Sequence, residues 1–245
     1  MTTGAGVAGE PQRGHPPLRA LVIVATVAIC AGLGIGLAVH ALRGHSGGAP
    51  AKLSGMQVAA GSGERIVRMR HGLYGVATWA VGAHPAPQIN TLVDQHGQRF
   101  ALTSLHGRTV ALVFFDSHCR QACPLEGHAL ARAELALPAA QRPVLVAVSV
   151  NPADTRRSVA TAIREWGLAK VAPWYWLMGK KARLAPVWRA YHIQVTPPID
   201  GDIQHTEALY LIDREGDIRS AYLWPFADHF VTSDLRTLAK RTVKA

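Results

Sequence analysis

Two of the chain's three cysteines, Cys119 and Cys123, stand four residues apart in the run Asp116-Ser117-His118-Cys119-Arg120-Gln121-Ala122-Cys123-Pro124. Thiols at this spacing can form a redox dithiol, supply soft ligands to a metal, or lie inert in a core. Three intervening residues permit a disulfide, but the tight Cys-x-x-Cys loop of common oxidoreductases is absent. Two sulfurs leave a metal site incomplete. Soft thiolates favour Cu(I), and a neutral imidazole can supply the third ligand. His205 is the best candidate, closing a long loop that contains Pro197, Pro198, Gly201 and Asp202. His118 adjoins Cys119, but in an extended segment neighbouring side chains point to opposite faces. His128 follows Cys123 by five residues, off the same helical face, and the remaining histidines show no ligand spacing.

The surrounding elements place these groups. Thr109 to Phe115, TVALVFF, is nearly continuous β-branched and aromatic sequence, as expected of a central strand buried on both faces. After the cysteines a helix is predicted, with Leu125, Ala129, Ala133 and Leu137 on one side and Pro138 ending it. Val144 to Val150 reads as a second buried strand. Asp154 or Thr155 can cap the next helix, where Val159, Ile163 and Trp166 recur at helical spacing before Gly167. Leu184, Val187, Trp188 and Tyr191 mark another helix, and the helical material between Pro152 and Tyr191 is more than the minimal fold needs. Ala208 to Ile212 and Ile218 to Leu223 flank a turn at Asp213-Arg214-Glu215-Gly216, and a last helix carries Leu235, Leu238 and Ala239. Upstream, Ile89 to Val93 and Arg99 to Leu102 read as hairpin arms about Asp94-Gln95-His96-Gly97.

This order predicts a thioredoxin-like α/β sandwich over residues 84–245, with a central mixed β-sheet flanked by helices. In it, Cys119 falls at the carboxyl end of a central strand and Cys123 in the first turn of the next helix, where open sheets gather ligands. Helix-end amides favour a thiolate there by about 0.3–1 kcal/mol each, and Arg120 adds positive charge. The loop end bearing His205 belongs beside the cysteine loop.

Ala20 to Val39 is a weakly polar-to-apolar run closed by His40, Ala41, Leu42 and Arg43. Its length, at ~1.5 Å per residue, spans about 30 Å, the thickness of a bilayer core. A transmembrane helix is therefore predicted at 20–42, after a short cytoplasmic N-terminus at 1–19. A secretory signal with an exit at Ala38-Val39-His40-Ala41 is the alternative. Cys30 lies in the apolar run and reads as a buried small side chain. Residues 43–83 read as a glycine-rich tether, with a further strand or two between Arg65 and Val81. The expected location is the cell membrane, single-pass, with the C-terminal domain on the extracytoplasmic side. The net charge of +10 suits anionic headgroups or an acidic partner. The basic residues are scattered and no recognition module appears, which argues against nucleic acid. No internal repeat or nucleotide-binding loop is visible.

The chain resembles the Sco/SenC family of membrane-anchored copper proteins. The resemblance rests on the N-terminal apolar segment, the Asp94-Gln95-His96-Gly97 turn and Phe114-Phe115-Asp116 before Cys119-x-x-x-Cys123-Pro124. It also rests on His205-Thr206 ahead of Leu209-Tyr210-Leu211-Ile212-Asp213-Arg214-Glu215-Gly216. It implies a thioredoxin-like fold that binds copper, as Cu(I) and also Cu(II), through the Cys119 and Cys123 thiolates and the His205 imidazole. It further implies as partners a copper-receiving subunit of cytochrome c oxidase and a thiol reductant. The implied task is to deliver Cu(I) to that copper centre or to reduce its cysteines. The alternative is a membrane-anchored thiol-disulfide oxidoreductase without copper transfer, in which Cys119 and Cys123 exchange thiols. Two positions depart from the family pattern: Arg120 replaces a common proline, and Gln204 a common acidic residue. A peroxide-reducing enzyme would need a Pro-x-x-x-Thr/Ser-x-x-Cys arrangement, which Phe115-Asp116-Ser117 does not present.

Overall fold

The computed structural model describes residues 70–171, 173–198 and 203–240. The expected membrane helix at 20–42, with Cys30, and residues 43–69 of the tether lie outside the described residues. Among those described, no helix is long and apolar enough to cross a membrane.

The sheet grows from the strand that sequence marks most strongly. All six residues of β2 (Val110–Phe115) are buried, as are all six of β3 (Val144–Ser149), which pairs with it in parallel. On its other edge β2 pairs antiparallel with β5 (Ala208–Ile212), β5 with β6 (Ile218–Leu223), and β6 with β1 (Ala77–Thr78). A parallel β4 (Trp174–Leu177) completes the six-stranded mixed sheet in the order β1-β6-β5-β2-β3-β4. Side chains alternate along each strand, so β2 and β3 feed two separate cores. Ala111, Val113 and Phe115 pack with α1 (Ala122–Leu135), α2 (Arg156–Glu165) and α4 (Asp228–Lys240). Leu112 and Phe114 pack on the other face with α3 (Lys181–Ala190) and the 86–105 segment. The result is a thioredoxin-like sandwich, helices on both faces of a mixed sheet.

Four expectations change. Ile89–Val93 and Arg99–Leu102 form no strands: Val93 makes only isolated bridges to Arg99 and Met178, and Leu102–Leu105 turns into a 3-10 helix. The Asp94–Gly97 turn remains, with the Asp94 carboxylate accepting from the His96 and Gln98 amides at 2.9 Å. Between Pro152 and Tyr191, where only helical material is expected, the aromatic run Trp174–Leu177 adds β4. The Gln95 side chain covers its outer edge, accepting from the Trp176 amide at 3.0 Å, which satisfies a backbone group that an edge strand leaves open. Leu125 is 59% exposed. The inner face of α1 is set by Cys123, Gly127 and Leu130, and Leu125 lies about 200° around the helix from Cys123. At Gly127 a Cβ would come within 3.0 Å of Trp166 Cβ, so the missing side chain lets α1 seat against Trp166. Finally, Thr155 rather than Asp154 caps α2, in a reciprocal box with Ser158.

That inner face also buries Glu134, whose carboxyl keeps one oxygen without a hydrogen-bond partner. Burial pushes this carboxyl up to about 8, opposed by a weaker pull from Arg142. The unfolded chain sheds the proton near the ordinary 4.5, whereas the folded chain keeps it until about 8. Stability is therefore fullest below 4.5 and falls as pH rises through this window. Glu134→Gln is expected to remove that slope and to gain roughly 4 kcal/mol at pH 8 relative to pH 4.5. Urea unfolding midpoints of both proteins at the two pH values check it; parallel pH profiles would contradict it.

Candidate metal centre

Chain reversal after β2 builds the site. Asp116 ends the strand, and its carbonyl accepts from the Cys119 amide at 3.1 Å, closing a turn that lifts Cys119 to partial exposure. Helix α1 begins at Ala122, so Cys123 sits in its first turn, fully buried. Its amide donates to Cys119 Sγ at 3.4 Å. One of the helix's unpaired N-terminal donors thus faces a sulfur, where it favours the thiolate. Neither cysteine is in a disulfide.

His205 lies just before β5, the neighbour of β2, on a two-stranded clip. Val195 and His205 form a bridge, flanked by Thr196 N donating to Gln204 O and Thr206 N donating to Gln194 O, both at 2.9 Å. The clip brings His205 Nε2 to 3.6 Å from Cys123 Sγ. On the other side of the ring, Nδ1 lies 3.1 Å from the Thr206 carbonyl oxygen. A carbonyl only accepts, so Nδ1 carries the hydrogen and the Nε2 lone pair faces the sulfur. Desolvation lowers the imidazole's pKa, outweighing upward pulls from the Thr206 carbonyl and the Asp116 charge. The ring is held neutral, the form that ligates metals.

The thiol of Cys123 is pushed far above its ordinary range, first by its hydrogen bond with Cys119, then by burial, then by the Cys119 charge. Without a cation the site holds a proton between its sulfurs. A soft cation supplies the missing positive charge and takes that proton's place. Two thiols and a neutral imidazole form a donor set that fits Cu(I).

The other sequence candidates lie elsewhere. His118 turns to Asp116 and Asp154, with Nδ1 at 3.4 and 3.3 Å from their carboxylates. His128 is exposed on α1 beside Gly167. Arg120 and Gln204, the two departures from the family pattern, are both exposed; Gln204 positions His205 through its backbone rather than its side chain. Sequence reading missed Glu126. It lies one helical turn after Cys123, fully buried, with neither carboxyl oxygen hydrogen-bonded. Burial, then the charges of Glu207 and Cys119, raise its pKa well above the carboxylate range, so it faces the thiols as a neutral acid. The one signal for it was its three-residue spacing from Cys123, which places both on one helical face.

The SCO1/SenC family model matches residues 86–240. No curated protein matches the chain. Among solved structures, Arabidopsis thaliana ScoI with copper bound is 23% identical, with a TM-score of 0.54, over 62% of this chain and 96% of that one. Yeast Sco1 with copper bound is 20% identical, TM-score 0.54, over 66% of this chain and 92% of its own. BsSco, a member of the Sco family of cytochrome c oxidase assembly proteins in which a disulfide switch was identified, is 16% identical. Its TM-score is 0.53, over 65% of this chain and 95% of its own.

Proposed function

The chain belongs to the SCO1/SenC family, and from that premise we propose that it carries copper for cytochrome c oxidase assembly, with Cys119, Cys123 and His205 holding one Cu(I). The observation that carries this reading is the Cys123 Sγ to His205 Nε2 approach of 3.6 Å, with the Nε2 lone pair turned inward by the Nδ1 contact to Thr206 O. The copper-bound relatives and the oxidase-assembly role of BsSco support it. Copper is the cargo. On loading, each cysteine loses its thiol proton and His205 loses none. On transfer, thiolates of a copper-receiving oxidase subunit displace Cys119, Cys123 and His205 one at a time, with no change in copper oxidation state. The apolar run at 20–42 anchors the chain in the cell membrane, with the folded domain on the extracytoplasmic side.

A second reading is favoured by the closeness of the two sulfur-bearing residues, with the Cys123 amide 3.4 Å from Cys119 Sγ, and by their unequal access: the same pair reduces the subunit's cysteines. The half-exposed Cys119 thiolate attacks the subunit disulfide, forming a mixed disulfide and expelling one subunit thiolate. Cys123 loses its proton and attacks Cys119 Sγ, expelling the second thiolate. Two electrons pass to the subunit, this chain ends as the Cys119–Cys123 disulfide, and a separate thiol reductant restores it. Anaerobic titration of the reduced full-length chain with Cu(I), against a chelator of known affinity, tests the copper reading. One Cu(I) per chain is expected. Absence of stoichiometric binding rejects the carrier role and leaves the dithiol reading, which is tested in turn by thiol exchange with an oxidised subunit.

A further inference from the structure

We propose that Asp116, His118 and Asp154 form a second cation site, distinct from the thiol centre and suited to a divalent ion such as Zn(II) or Cu(II). One ligand atom from each of the three residues lies within 4.8 Å of the other two, and His118 Nδ1 stands 3.4 Å from Asp116 Oδ1 and 3.3 Å from Asp154 Oδ1, so one ion can meet all three residues. Asp116 ends β2 and Asp154 follows β3. The cluster therefore sits at the carboxyl ends of two parallel strands, where open sheets place ligands.

The charge there is unbalanced. Both aspartate side chains are 1% exposed, whereas His118 is 47% exposed. Among the described residues neither aspartate has a lysine or arginine partner; His118 is the sole ion-pair partner of both. The other groups touching them are neutral. Asn151 Nδ2 donates to Asp116 Oδ1 at 2.9 Å. The hydroxyls of Ser117 and Ser149 and the indole of Trp176 donate to Asp154. Burying like charges this close is costly unless a counter-charge joins them. An imidazolium supplies one positive charge and a divalent ion two.

A separate observation points the same way. Asp116 Oδ2 is buried with no hydrogen-bond partner. No described group uses its lone pairs, whereas Oδ1, the oxygen beside His118, already accepts from His118 N and Asn151 Nδ2, so the same carboxylate keeps one oxygen spare for an ion. The remaining hydrogen bonds hold the donors in place before any ion arrives, as the outer shell of a metal site does. The two backbone donors, His118 N to Asp116 Oδ1 at 2.9 Å and Ser117 N to Asp154 Oδ1 at 3.2 Å, lock the loop itself around the carboxylates. One imidazole nitrogen and two carboxylate oxygens suit borderline divalent ions, with Cu(II) the tightest binder by the usual order. His118 would ligate through Nδ1, its hydrogen moving to Nε2 on the solvent side.

The test uses the full-length chain carrying Cys119→Ser, Cys123→Ser and His205→Ala, which silences the thiol centre. Zn(II), which has no redox chemistry of its own, is titrated against a chromophoric chelator. One Zn(II) per chain is expected, with affinity falling at least ~100-fold on adding His118→Ala. Because His118 is exposed, that change leaves the fold intact; Asp116→Asn, checked by circular dichroism, should weaken binding similarly. Cu(II) bound to the same background should show nitrogen coupling from one imidazole in its electron paramagnetic resonance spectrum, lost with His118→Ala. No stoichiometric Zn(II), or binding indifferent to His118→Ala, overturns the proposal and leaves His118 as a plain ion-pair partner. Cu(I) binding by the unaltered cysteines is untouched by either result.

Discussion

Cys119→Ser with Cys123→Ser is expected to abolish Cu(I) binding, and His205→Ala alone to weaken it by about 100-fold or more. Serine is nearly isosteric with cysteine but offers a hard oxygen whose proton is far harder to remove, so Cu(I) loses both soft anionic ligands. His205→Ala keeps both thiolates and can leave the ion two-coordinate, so binding weakens rather than vanishes. The neutral ring and its fixed tautomer make the histidine's contribution large: no proton has to be displaced and no ring rotation found before Nε2 can bind. Gln204→Ala is the matching control. Its side chain is exposed and its role in placing His205 is a backbone one, so affinity should stay within about twofold of the parent. Cys123 is fully buried, and a serine there places a hydroxyl in the core at a cost of about 1–3 kcal/mol. Folding of the double variant therefore has to be verified by circular dichroism beside the chelator competition. A folded double variant that still binds one Cu(I) with parental affinity would refute the assignment.

What the sequence disclosed about this site follows from where physical chemistry writes itself into residue type. TVALVFF announced β2 because a strand covered on both faces admits apolar residues at every position, and all of Val110–Phe115 are buried. Val159, Ile163 and Trp166 announced α2 because one face of that helix is apolar and the other charged. Gly167 closes it with a positive φ of 76°, a conformation that favours glycine. Cys119, Cys123 and His205 stood out as candidates because two thiols and an imidazole have few other uses together, and the fold brings the three side by side. The failures share a cause: in each, the deciding partner lies far off in sequence. Trp174–Leu177 is too short to show a period of its own and becomes a strand only by pairing with β3. Ile89–Val93 has strand composition, but the sheet offers Val93 nothing longer than single bridges. Glu126 and Glu134 sit on α1, where charged residues suggest a solvent face, yet both are buried against the sheet side. Asp154 looked like a helix cap; its carboxylate instead ties the Ser117 loop to Ser149 and Trp176. Pairwise contacts across 22 to 37 residues leave no trace in local spacing.

The affinity of the thiol centre for Cu(I) should rise steeply with pH, by at least about tenfold per unit between pH 6 and 8. The sign follows from the two shifted groups. The thiol of Cys123 is held protonated well above the ordinary thiol range by its hydrogen bond with Cys119 and by burial. Throughout this window the copper-free site therefore carries that proton, and the loaded site, with a thiolate on the metal, does not. Each Cu(I) bound releases at least one proton, and mass action makes binding stronger as protons become scarcer. His205 works in the opposite sense to an ordinary histidine ligand. Its pKa is lowered from 6.5 by desolvation, so it is already neutral at pH 7 and adds no proton competition until the solution is more acidic than an exposed histidine would require. The slope should thus survive His205→Ala, although the absolute affinity drops. It should flatten by one proton in Cys123→Ser, because the residue that stores the proton is gone. Chelator competition at several pH values, corrected for the chelator's own protonation, reads both. An affinity independent of pH across this range would mean that Cys123 is already a thiolate in the copper-free protein. The Nε2 lone pair of His205, 3.6 Å away, would then face a sulfur anion, and the buried pair would have to hold one more negative charge with Asp116 nearby. The low dielectric around Cys123 makes that the less stable state, which is why loading is expected to be coupled to proton release and unloading favoured by acid.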